Sequence, residues 1–256
     1  MQLAYKKFGE GQDVIILHGL FGAGRNWQGI ARALTGNLHV VIPDLRNHGS
    51  SPHAMEMGYE VMANDVAELI AELNLANPII IGHSMGGKVA MTLALNNPEL
   101  VQGLVIVDIA PVSYEHDFSR LITAMRSLTL TELSSRSEAE NKLKTGLGSE
   151  RLAAFIVQNL ARVEGNLSWR INLEDITQCL PEIGQFPMQL AKKKYLHSAL
   201  FIGGTESRYI TEDSYAAIYQ HFPEAQVAML QDAGHWTHVD KPEEFLQLVN
   251  EFIHTL

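Results

Sequence analysis

Between the apolar run Pro78-Ile79-Ile80-Ile81 and the helical pattern Gly87-Lys88-Val89-Ala90-Met91-Thr92-Leu93-Ala94-Leu95 lie five residues, Gly82-His83-Ser84-Met85-Gly86. A Gly-x-Ser-x-Gly pattern placed where a buried strand feeds directly into a helix forms a tight corner with the serine at its apex. The corner imposes a strained backbone on Ser84, and side chains at Gly82 and Gly86 would obstruct it, so both flanks must be small. It also turns the Ser84 hydroxyl outward at the start of a helix, where unpaired N–H groups favour negative charge. The pentapeptide alone is a weak signal. Flanked by an apolar strand and an amphipathic helix, it marks a nucleophilic serine.

The rest of the chain says what kind of sheet holds that corner. Short apolar or β-branched runs at 13–17, 38–43, 78–81 and 104–107 alternate with helical patterns at 26–34, 59–73 and 86–96. Gly9, Gly19, Pro43, Gly58 and Pro98 punctuate the joints. The alternation predicts an α/β fold, a mostly parallel sheet with helices on both faces. Strand patterns resume at 198–203 and 225–230, and a last amphipathic helix opens on Pro242, a residue suited to a first turn.

From 112 to 194 the strand signal stops. That span reads as helices at 117–127, 137–144, 149–160, 173–180 and 187–193, separated by Gly146, Gly148, Gly165 and Pro181. The expected division is a core of residues 1–111 and 195–256, interrupted by a helical cap of residues 112–194. The cap is expected after the sixth strand, folded over the carboxyl ends of the strands, where open α/β sheets bind ligands. A lid there would exclude water from Ser84 and supply an apolar pocket wall. The plainer alternative is a helical decoration that only adds stability.

At 256 residues the chain suffices for one large core, and 46% hydrophobic with 19% charged residues is an ordinary globular composition. A formal charge of −10 argues against a nucleic-acid backbone or an anionic membrane as the main partner, though not against an anionic small molecule. The single cysteine, Cys179, excludes an internal disulfide and reads as a small buried apolar residue. The first residues lack the apolar core of a signal peptide and no run reaches membrane-spanning length, so a cytoplasmic setting is expected. Asp44 through His53 holds three candidate metal ligands but no recognised zinc or calcium spacing, and no Gly-rich dinucleotide loop is present. Neither a metal nor a cofactor is expected.

A serine needs a base within hydrogen-bond reach. Among 11 histidines, His235 in Asp232-Ala233-Gly234-His235-Trp236 follows the last strand and precedes the final helix, on the same sheet edge as Ser84. His238 is the confusable neighbour and reads as a pocket or structural residue, and His83 as one that packs away from the reacting face. Two acids compete for the third position, which holds the imidazole in its useful tautomer. Glu206 follows the strand ending at Gly203, and Asp108 ends the strand Leu104-Val105-Ile106-Val107, where a charge needs a partner. Spacing leaves them level. For the oxyanion that develops during attack, one donor is expected from Met85 N–H and the other from His18-Gly19-Leu20-Phe21-Gly22. Leu20 N–H is the first choice there and Phe21 N–H the second.

These residues resemble the α/β-hydrolases, and within them the small YbfF-type bacterial esterases. The resemblance rests on Leu17-His18-Gly19-Leu20-Phe21-Gly22, Asp44-Leu45-Arg46-Asn47-His48-Gly49-Ser50-Ser51, Gly82-His83-Ser84-Met85-Gly86-Gly87-Lys88, Val107-Asp108-Ile109-Ala110-Pro111 and Gly234-His235-Trp236-Thr237-His238. These segments span the sheet domain in order, and Asn47 departs from a pattern in which most relatives carry glycine. Esterases of this type place the acid after the sixth strand, so the resemblance implies Asp108 rather than Glu206. By the same carry-over Ser84 and His235 take the nucleophile and base positions. The implied partner is a small acyl ester or a thioester such as an acyl-CoA. Arg46, Asn47 and His48 read as scaffolding, and Trp236 and Phe21 as aromatic candidates for an acyl pocket. The expected activity is therefore that of a serine hydrolase acting through an acyl-enzyme. C–C bond hydrolase, perhydrolase or lyase chemistry on the same fold is the alternative, and a ligand-binding protein without turnover is a third reading.

Overall fold

Alternate residues of the apolar runs sort to opposite faces of one sheet in the computed structural model, which describes residues 1–115 and 117–256. The chain opens with β1 (Tyr5–Phe8), β2 (Gln12–Leu17), α1 (Gln28–Ala33) and β3 (Leu38–Pro43). It continues through α2 (Tyr59–Glu72), β4 (Ile79–His83), α3 (Met85–Asn96) and β5 (Gly103–Val107). An insert follows, made of α4 (Ser119–Arg126), α5 (Arg136–Leu147), α6 (Glu150–Val157), β6 (Leu160–Val163), β7 (Asn166–Trp169) and α7 (Leu173–Gly184). The last part is β8 (Ala199–Gly204), α8 (Glu212–His221), β9 (Ala225–Leu230), α9 (Thr237–Asp240) and α10 (Pro242–Ile253).

The main sheet has the order β1-β3-β2-β4-β5-β8-β9, with β1 antiparallel to β3 and the other neighbours parallel. Val14, Ile16, Ile79, Ile81, Val105 and Val107 pack with Trp27, Ile30 and the α10 residues Phe245, Val249 and Phe252. Ile15, Leu17, Ile80, Leu104 and Ile106 face the other way, among Met62 and Val66 of α2, Val89 and Leu93 of α3, and Ile218 of α8. Burial on both faces is why these strands read as continuous apolar runs. Register then fixes the working edge. Leu17 lies beside Gly82 and His83 beside Val107, so the residues that follow β2, β4 and β5, namely His18, Ser84 and Asp108, fall in one row.

Three expectations need correction. The insert follows the fifth strand in the chain rather than the sixth, because among the described residues only β1 precedes β2. β1 itself escaped the pattern reading: it is a four-residue edge strand whose Lys6 and Lys7 are exposed, as edges that avoid aberrant pairing often are. The insert is not wholly helical, since β6 and β7 form a hairpin. Glu164 and Gly165 both take positive φ (50° and 87°) at its tip, the geometry of a two-residue turn, so Gly165 closes a hairpin instead of separating helices.

Within the insert, Ser135, Ser149 and Asn172 cap α5, α6 and α7 by accepting from backbone N–H groups. Segment 187–193 contributes only a short turn of 3-10 helix at Met188–Leu190. Helix α7 runs through Pro181 to Gly184 because its end is held from outside. Tyr59 Oη donates to the Ile183 carbonyl at 2.6 Å, and the ammonium of buried Lys88 donates to the Gly184 and Gln185 carbonyls at 3.1 and 2.9 Å. Burial pulls that ammonium down to about 7, and the rings of Tyr59 and Tyr114 face it at 5.5 and 5.0 Å. Insert residues Leu121, Ile122, Leu143, Ile156 and Ile176 belong to the same apolar cluster as α2 and α3, so the insert is packed onto the core. Among the described residues no helix is long and apolar enough to cross a membrane.

Candidate active site

Ser84 sits at the N-cap of α3 with φ 53° and ψ −117°, outside the regions that L-residues favour. The glycine flanks are required by space. A Cβ at Gly82 would lie 2.4 Å from the Gly86 carbonyl oxygen, and one at Gly86 would lie 2.5 Å from the carbonyl oxygens of both Leu17 and His18. The strand-to-helix corner is therefore closed against anything larger than hydrogen.

His235 Nε2 lies 3.1 Å from Ser84 Oγ, and its Nδ1 lies 2.7 Å from Asp108 Oδ2. Asp108 is fully buried, and its φ of 50° turns the carboxylate back toward the loop after β9. Its desolvation is offset by further donors: Gly204 N–H reaches Oδ1 at 3.2 Å, and Ser207 Oγ donates to Oδ2. Glu206 is exposed, and its backbone N–H donates to the Ala233 carbonyl. Of the two competing acids, the structure brings Asp108 to His235 and leaves Glu206 at the surface.

The loop after β2 separates the two candidate oxyanion donors. Phe21 N–H is already spent on His48 Nε2 at 3.0 Å. Among the described residues, neither Leu20 N–H nor Met85 N–H donates to any protein acceptor. His18 and His48 brace this loop from below. His18 Nδ1 donates to the Gly19 carbonyl and its Nε2 accepts from Leu45 N–H, while His48 Nδ1 donates to the Arg46 carbonyl. The segment carrying His48 is itself locked. Buried Arg46 makes a two-point ion pair with Asp65 at 2.6 and 2.8 Å. Asn47 pairs both amide atoms with the backbone of Ala54 at a φ of 64°. Glycine takes such a φ freely, and asparagine is among the few other residues that tolerate it.

His83 does more than pack: its Nε2 donates to the His235 carbonyl at 2.8 Å, fixing the loop that carries the imidazole. His238 stacks on Trp27 with ring centroids 3.9 Å apart. Sequence reading missed Ser207 and Gly204 beside Asp108, the ring of Tyr209 at 4.3 Å from that of His235, and Asn159, whose Nδ2 donates to the Phe21 carbonyl at 2.7 Å. None of these carries a motif of its own. Cys179 is half-buried, with its thiol directed at the Met55 carbonyl, instead of fully enclosed.

Ser84 and His235 open into a cavity of about 740 Å³ whose walls include Phe21, Trp27, Ile109, Leu121, Phe155 and Trp236. Its size is that of a small-molecule site. Among the described residues no group of three or more His, Cys, Asp or Glu is placed to hold a metal ion.

Burial holds His18, His48, His83 and His238 neutral. His48 and His238 are each pulled from 6.5 down to about 3, and His18 and His83 are lowered by the same cause. Between those values the unfolded chain binds protons that the folded chain refuses. Stability therefore rises with pH through this window and is lost on acidification. In His238→Phe, which keeps an aromatic ring on Trp27, the fall of the urea midpoint between pH 6.5 and 4 is expected to be shallower by about one proton. An unchanged slope would mean that His238 gains its proton without unfolding.

A corner serine hydrogen-bonded through histidine to a buried aspartate, at the carboxyl edge of a sheet of this topology, defines a class, and sequence comparison agrees with it. Residues 14–242 match the family model for the alpha/beta hydrolase fold, and the chain belongs to that family. Within it the chain is an enzyme of the esterase/lipase type. It is 37% identical over 249 residues to the sn-1-specific diacylglycerol lipase ABHD11 of Mus musculus, covering 94% of this chain and 80% of that one. It is 31% identical over 243 residues to Esterase YbfF of Escherichia coli strain K12, covering 94% and 92%. The solved structure of a marine microorganism esterase superposes with a TM-score of 0.93 at 37% identity, covering 98% of this chain and 99% of that one.

Proposed function

We propose that the chain hydrolyses carboxylic esters, and thioesters of the acyl-CoA kind, through an acyl-enzyme on Ser84. His235 Nε2 takes the Ser84 proton as Oγ attacks the substrate carbonyl, then delivers it to the leaving alkoxide or thiolate. Asp108 keeps the proton of His235 on Nδ1 and stabilises the imidazolium. Leu20 and Met85 N–H groups receive the oxyanion, assisted by the positive end of α3. A water activated by the same imidazole then releases the acid. Residues 112–194 serve as a cap over a core of residues 1–111 and 195–256, its α4 and α6 walling the acyl cavity.

The observation that carries this reading is the continuous hydrogen-bond chain from Asp108 through His235 to Ser84, opening on a largely apolar cavity of about 740 Å³. The diacylglycerol lipase among its relatives adds glycerolipid esters to the substrates worth testing. The single free thiol of Cys179 is compatible with a reducing, cytoplasmic setting.

The test is a chain-length series of p-nitrophenyl esters run beside acyl-CoAs and a diacylglycerol. Turnover of esters is expected, rising with acyl length until the cavity is filled, with acyl-CoAs hydrolysed as well. Absence of ester turnover at every length would overturn the reading. Ester turnover with inert acyl-CoAs would remove the thioester half of it.

A further inference from the structure

We infer that Asn159, a residue of the insert, is a positioning residue for the oxyanion hole, so that the insert takes part in shaping the loop that carries Leu20 N–H. The inference rests on the serine-hydrolase reading above. Asn159 lies between α6 and β6 and is almost fully buried, at 1% exposure. Its Nδ2 donates to the Phe21 carbonyl at 2.7 Å, across 138 positions of sequence. Phe21 is the residue after the candidate donor Leu20, and its φ of 58° is one that a phenylalanine does not hold unaided. Two bonds hold it. His48 takes its N–H from the core side, and Asn159 satisfies its carbonyl from the insert side.

Leu20 N–H belongs to the Gly19–Leu20 peptide, whose carbonyl accepts from His18 Nδ1 and Gly22 N–H, and Phe21, fixed at both ends, holds the next peptides of that turn. Without the insert bond the Phe21 carbonyl is a buried acceptor lacking its donor, and the loop can relax toward negative φ. Asn159 is itself well anchored. Its N–H donates to the Ile156 carbonyl, its carbonyl accepts from Arg170 N–H, and Arg25 on the core bonds the adjacent Gln158 carbonyl. The link thus runs from the insert backbone to the oxyanion loop through one amide. Asn159 is not among the residues lining the cavity at Ser84, which makes it a positioning residue and not a catalytic one.

The experiment compares Asn159→Leu and the smaller Asn159→Ser with the parent enzyme on p-nitrophenyl butyrate, together with inhibition by an alkyl boronic acid that forms a tetrahedral adduct on Ser84. Both variants retain the backbone bonds of position 159. A drop in kcat of about 10- to 100-fold is expected, because a misaimed group near the reacting centre costs on that order. KM should stay within about twofold, as expected when only transition-state contacts are lost. Boronate affinity is expected to fall by the same factor as kcat. Unchanged kcat in folded variants, or weaker substrate binding with boronate affinity intact, would overturn the assignment and leave Asn159 as packing between insert and core. Ser84→Ala separates the two levels: if it stays active the hydrolase reading itself fails, and if it is inert beside fully active Asn159 variants only this inference fails.

Discussion

Ser84→Ala is expected to lower turnover of a p-nitrophenyl ester by a factor of about 10³ or more and to abolish labelling by a fluorophosphonate. The magnitude follows from what the substitution removes. His235 Nε2 loses the only proton that an acyl transfer asks it to move first, and the attacking atom must be replaced by a water with no fixed position. What remains is the pair of unpaired N–H groups at Leu20 and Met85, which can polarise a carbonyl but cannot form the acyl-enzyme. The fold should not suffer, since only Oγ is lost while the corner geometry is held by the backbone contacts around Gly82 and Gly86. A thermal midpoint close to that of the parent enzyme would show that the loss is chemical. Retained labelling or more than about a tenth of the parent turnover would mean that another group carries the reaction.

How much of this could be read in the sequence depended on how local each constraint is. The corner at Ser84 is legible because it is written in five adjacent residues: close backbone approach allows only glycine at 82 and 86, whatever the rest of the chain does. His235 is legible one level up, from its place between the last strand and the final helix, which the parallel topology brings to the same edge. The choice between Asp108 and Glu206 lies beyond that level. Both follow adjacent strands of the sheet, and what separates them is the turn at Asp108, with φ 50°, and the donors Gly204 and Ser207 that await its carboxylate. The β6–β7 hairpin was hidden for a different reason: a single turn glycine between short strands gives too few residues for a period to emerge. Asn159 had no signal at all, because its meaning lies in a carbonyl 138 positions away.

Asp108→Asn is expected to reduce kcat by about 10³ to 10⁴ while leaving KM near the parent value. The effect turns on one proton. With a carboxylate at 2.7 Å, His235 must carry its hydrogen on Nδ1, which leaves Nε2 bare and facing Ser84 Oγ at 3.1 Å. Asparagine has nearly the same shape, and with its carbonyl oxygen kept at the Oδ1 position, where Gly204 N–H donates, its amide nitrogen takes the Oδ2 position that faces the imidazole and Ser207 Oγ. That amide donates. Nδ1 must then become an acceptor, and the hydrogen moves to Nε2, where it points at the serine and cannot take its proton. The imidazolium that forms during attack also loses the negative charge that stabilises it. Glu206→Gln supplies the control, since an exposed carboxylate with no contact to the imidazole should change kcat by less than about twofold. The NMR signature is specific: the downfield proton of a His–carboxylate pair on Nδ1 should vanish in Asp108→Asn and persist in Glu206→Gln. If instead Glu206→Gln carries the larger loss, the acid is the exposed one, and the loop after β8 must reach His235 in a conformation other than the one described above.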